Sequence, residues 1–74
     1  MNIILVIDSG IPREPLLIEK ESTAKAVYLN IAQTLGCELE LHEIMGDNLF
    51  AIIDNYLEKT DYSLHWWESP INKF

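Results

Sequence analysis

The sequence predicts an α+β domain: a small two-layer sandwich in which a mixed sheet of order ββαβαβ carries two helices on one face. Three observations lead there. Residues 3–7, "IILVI", form a continuous apolar run rich in β-branched side chains; two later segments repeat their apolar residues at helical spacing; and residues 37–43 and 62–68 alternate like half-buried strands. The alternative is a three-stranded parallel α/β sheet, βαβαβ, which follows if residues 16–20 are not a strand. The doubly apolar first strand favours that parallel sheet. The polar faces of the two alternating segments favour the two-layer form, because strands covered on both sides should not carry Glu38, Glu40, His42, Ser63 and His65.

Taken in order, residues 3–7 predict a central strand buried on both faces. "DSGIPREP", residues 8–15, predicts a loop, since proline lacks a backbone donor and has a fixed φ. "LLIEK", residues 16–20, predicts a short strand with Leu16 and Ile18 on one face and Leu17 and Glu19 on the other. From Ser22, the residues Ala24, Val27, Tyr28, Ile31 and Leu35 stack on one side of a helix, with Ser22 or Thr23 as cap and Gly36 as a left-handed stop. "CELELHE", residues 37–43, predicts a strand with Cys37, Leu39 and Leu41 inward and Glu38, Glu40 and His42 outward. A second helix follows, with Asp47 as N-cap, Leu49, Ile52, Ile53, Tyr56 and Leu57 on its apolar face, and Lys59 in its last turn. "YSLHWWE", residues 62–68, then directs Tyr62, Leu64 and Trp66 inward and Ser63, His65 and Trp67 outward, before Pro70 ends the pairing. The expected organisation is one domain over residues 1–70 with a tail at residues 71–74.

A chain of 74 residues buries only about 60% of its unfolded surface, so one small core must suffice. Hydrophobic residues at 49% and charged residues at 23% place it among folded globules rather than disordered chains. Cys37 is the only cysteine, which rules out an intrachain disulfide and leaves a metal or self-association as the available staple. The net charge of −7 disfavours direct binding to nucleic acid or to an anionic membrane, and suits a partner with a basic surface. The apolar run at residues 3–7 is too short for a membrane span and has no basic flank, so the expected location is cytoplasmic, in keeping with one unpaired cysteine.

Asp8 ends the first strand, where open α/β sheets gather ligands. Residues 4–10, "ILVIDSG", resemble the first strand of bacterial receiver domains, a resemblance that implies a magnesium-binding acidic pair and a phosphorylated aspartate on a later strand. Ser9 interrupts that pair, residues 62–68 offer no aspartate, and the chain is too short for the family's repeated β-α units, so Asp8-Ser9-Gly10 is read as a turn. If the two alternating strands were neighbours, His42, His65 and Glu40 would approach a His₂Glu metal site, yet no motif spacing supports one. Cys37, on an apolar face with no adjacent base, reads as core. Catalytic residues, metal ligands and cofactors are therefore all assigned as none.

Trp67 is the residue that needs explaining, because a large apolar side chain on a polar face wastes burial unless something covers it. The tail, through Ile71 or Phe74, is one cover; a partner is the other. The expected function is a non-enzymatic interaction module, an inhibitor or accessory subunit, binding a basic protein through Glu38, Glu40, His42, His65 and Trp67. In size and acidity the chain is similar to small accessory proteins of phages and mobile elements that occupy basic nucleic-acid-binding surfaces. Two alternatives stand beside it: a metal- or ligand-binding protein or enzyme using Asp8, His42 and His65, and an obligate homodimer with no other partner.

Overall fold

The structure, a computed structural model, describes residues 1–70. The expected tail at residues 71–74, and with it Ile71 and Phe74 as covers for Trp67, lies outside the described residues. Among the described residues the fold is α+β, an open antiparallel sheet of four strands with three helices.

The uninterrupted apolar run becomes β1 (Asn2–Asp8), and every strand pairing is made with it. β2 (Ile11–Pro12) and β3 (Leu16–Ile18) lie in succession along one edge of β1, and β4 (Tyr62–Glu68) lies along the other. All three pairings are antiparallel, which overturns both the crossover-built mixed sheet and the parallel alternative. The hairpin joining the first two predicted strands is present, and the predicted loop contains β2 as an additional short strand. Ser9 and Gly10 turn the chain with φ of 52° and 80°, a two-residue geometry whose twist suits the flanking strands. Arg13 donates to the Asp8 carboxylate at 2.6 Å across this hairpin, and Ser9 donates to it at 3.2 Å.

α1 (Glu21–Thr34) follows the predicted period, burying Ala24, Tyr28 and Ala32. Lys20, rather than Ser22 or Thr23, occupies the N-cap position, and no side chain caps the end. Gly36, at φ 105°, stops the helix as expected: its N–H donates to Gln33 O at 3.1 Å and that of Cys37 to Ala32 O at 3.0 Å. This pair of bonds is a Schellman closure, and Cys37 and Ala32 meet in the core behind it.

The strand expected at residues 37–43 does not form. The Schellman closure ties the Cys37 N–H back to α1, and α2 (Leu41–Ile44) begins directly after Glu40, whose N–H donates to the Glu43 carboxylate at 2.7 Å. Cys37 and Leu39 still turn toward the core, but Leu41, expected inside, is 72% exposed. α3 (Leu49–Leu57) buries Leu49, Ile53 and Leu57. Its N-cap position is Asn48 and not Asp47, Tyr56 lies on the surface, and Lys59 falls beyond the last turn.

The core joins Ile4 and Leu64 of the sheet to Ala24, Tyr28 and Ala32 of α1, Cys37, and Leu49, Ile53 and Leu57 of α3, with Val6, Ile18 and Trp66 packed against it. No described helix is long and apolar enough to cross a membrane.

Candidate functional site

The pairing register decides which way the two tryptophans point. Trp66 lies opposite Ile4, and Trp67 opposite Ile3, so the two side chains leave the sheet on opposite faces. Trp66 turns into the core against Tyr28 and Phe50, the three rings lying 5.4 to 5.6 Å apart. Its indole N–H donates to Asn2 Oδ1 at 3.2 Å, and Asn2 Nδ2 donates to Glu19 O at 3.1 Å. Asn2 is buried, and these two bonds satisfy its amide where an unpaired one would be costly.

Trp67 is 43% exposed. Through Ile3 it lines up with Leu17, itself 57% exposed, to make an apolar row across three strands. Leu5 and Ile7 share the alternation of Ile3, and none of these side chains belongs to the core cluster described above. His65, opposite Leu5, is exposed, with Nε2 3.2 Å from the Ser63 hydroxyl.

Glu38, Glu40 and His42 lie elsewhere. Without the predicted strand they occupy the segment entering α2 and its first turn, beside α3. His42 Nδ1 lies 3.3 Å from Glu40 Oε2, with both side chains in solvent, so this contact adds little stability. The Tyr56 hydroxyl donates to Glu38 O, tying α3 to this segment. Its pKa is raised by partial removal from water and then by the carboxylates of Glu43, Glu38 and Glu40. His42 and His65 are therefore not neighbours on one sheet face, and among the described residues no three His, Cys, Asp or Glu side chains are grouped to hold a metal ion. Asp8 belongs to its hairpin, its carboxyl held below the usual range chiefly by the Arg13 hydrogen bond. Cys37 is buried, and burial pushes its thiol up, away from the reactive thiolate.

A second feature runs alongside β4. Phe50 and Asp54 of α3 and its C-cap residue Glu58 succeed one another at four-residue steps along one side, next to the buried stripe. Phe50 shares a recess with Trp66, Trp67 and Glu68, Asp54 with Leu64 to Trp67, and Glu58 with Tyr62 and Ser63, so helix and strand run antiparallel with a groove between them. Tyr28, wholly buried, lines this groove, and its hydroxyl has no hydrogen-bond partner among the described residues. Burial, and then the Asp54 charge, hold the phenol well above the ordinary tyrosine range. None of Phe50, Asp54 and Glu58 was among the residues singled out from the sequence, although their spacing was legible there. Comparison with known protein families, curated proteins and solved structures finds no match for this chain.

Proposed function

We propose that this chain is a non-enzymatic protein-interaction module, an inhibitor or accessory subunit, that presents Trp67 as an aromatic anchor within an acidic surface to a partner with a basic face. The observation that carries the reading is the Leu17–Ile3–Trp67 row, apolar and open at both ends. Covering the exposed part of an indole is worth on the order of 2 kcal/mol, enough to make Trp67 a binding hot spot. His65 flanks the anchor. Glu38, Glu40 and His42, being separate from it, contribute through the field of a chain with net charge −7, which steers a basic partner toward encounter.

The test compares wild type with Trp67→Ala, checked for folding by circular dichroism, as bait in extracts of the native host. The expected result is that a basic protein held by wild type is lost with the variant. Recovery of the same proteins by both would remove Trp67 as anchor. Light scattering on the same two proteins tests the homodimer reading, which requires a dimer that Trp67→Ala dissociates.

A further inference from the structure

We propose that the free edge of β4 and the Phe50–Asp54–Glu58 side of α3 form a groove that binds an extended basic peptide as an added antiparallel strand. The inference deepens the interaction reading by naming how a partner's chain is held, and rests on that reading for the claim that the partner is a protein.

The first support is the direction of the backbone groups. On the β2/β3 side, Val6 O accepts from Arg13 N; on the β4 side, Ser9 N donates to Asp61 O and Met1 O accepts from Ser69 N. Backbone groups alternate sides along a strand, so Ile3, Leu5 and Ile7 turn theirs toward Trp67, His65 and Ser63. Leu64, Trp66 and Glu68 consequently turn their N–H and C=O groups outward, to an edge on which no described strand pairs. Tyr62, in the same phase, is served by the Thr60 hydroxyl. The edge that no described strand pairs thus spans residues 64–68, exposed at Glu68, half-buried at Trp66 and buried at Leu64. It contains neither proline nor lysine, the residues that commonly blunt such edges.

The second support is spacing. Four residues of helix rise about 6 Å, and two residues of strand about 6.7 Å. Alternate side chains of a strand added to β4 would therefore fall in step with Phe50, Asp54 and Glu58. Running antiparallel to β4, and so parallel to α3, the peptide would present an apolar residue to Phe50 and Trp66, then Arg or Lys to Asp54, then Arg or Lys to Glu58. The pattern is apolar-x-basic-x-basic. A second copy of the chain fits less well, because β4 carries no Lys or Arg to meet Asp54 and Glu58.

The experiment titrates the full chain, labelled with nitrogen-15, with a capped peptide in which leucine, arginine and arginine occupy alternate positions between threonines. A peptide with glutamates for the arginines, and one N-methylated on the amides facing β4, serve as controls. Expected are saturable shifts of the Leu64, Trp66 and Glu68 amides, no binding of either control, and roughly fivefold weaker binding by D54N/E58Q, whose exposed substitutions leave the core intact. Absence of binding, equal binding of the acidic peptide, or a dimer held through β4 without peptide would overturn the proposal. Binding that moves only the Leu17–Ile3–Trp67 row would overturn it too, while leaving the anchor reading in place; the Trp67→Ala comparison can fail independently.

Discussion

The two edges of the sheet are built by opposite rules. Along one, β2 and β3 together pair only the two ends of β1, and the stretch that forms them contains Pro12, Arg13 and Pro15. Along the other, β4 pairs without interruption from Tyr62 to Glu68. A short strand broken by proline and charge is protected against further pairing, whereas a continuous one exposes a ladder of donors and acceptors. The difference teaches that the continuous strand gathers the exposed features: the face of β4 presents Trp67, its outer edge pairs with no described strand, and the carboxylates of Asp54 and Glu58 lie beside it.

The largest expected effect comes from undocking β4. Leu64→Ala leaves a cavity in the core and should cost about 2–4 kcal/mol, a large share of the stability of so small a domain. Urea unfolding measures it, and a loss below about 1 kcal/mol would show that β4 is only loosely held. Next, proline separates the bonded phase of β4 from the free one. His65→Pro removes a donor to β1 and should cost about 2 kcal/mol or more, while Glu68→Pro removes an outward N–H and should cost under about 1 kcal/mol. Reversed costs would mean the register is shifted by one residue. Glu68→Pro should also weaken the arginine peptide.

A smaller effect concerns the floor of the groove. Tyr28→Phe removes a buried, unpaired hydroxyl and should raise stability by about 1 kcal/mol. Its pH dependence has a definite sign. The folded chain holds Tyr28 protonated above the ordinary range, so above about pH 10 the folded state binds more protons than the unfolded state. Stability then falls by up to about 1.4 kcal/mol per pH unit, a loss absent below pH 10 and removed from this residue by Tyr28→Phe. Alkaline melts of the two proteins check both points. Smallest is Ser9→Asn, which places Asn-Gly in the β1–β2 turn and should stabilise the protected edge by about 0.5 kcal/mol without touching β4.

The two alternating heptapeptides show how far local pattern reaches. "YSLHWWE" is a strand in the predicted phase, with Leu64 and Trp66 inside and Trp67 out. "CELELHE" alternates as cleanly and is no strand. Alternation names a face; it does not supply an edge to pair with. Both edges of β1 are taken, and the segment is committed elsewhere: the Schellman closure ties the Cys37 N–H to α1, and α2 begins directly after Glu40. The candidate site divides the same way. Trp67 and His65 stay together on β4, whereas Glu38, Glu40 and His42 depart with the missing strand.

From the sequence alone came the apolar central strand, the Asp8-Ser9-Gly10 turn, the period of α1 with its stop at Gly36, and the separation of Trp66 from Trp67. Each depends on neighbours within a few residues, through side-chain period or backbone conformation. The antiparallel order, the loss of the strand at residues 37–43, and the alignment of Phe50, Asp54 and Glu58 with β4 were decided by the tertiary structure. Each depends on contacts between segments far apart in the chain, and no local spacing encodes them.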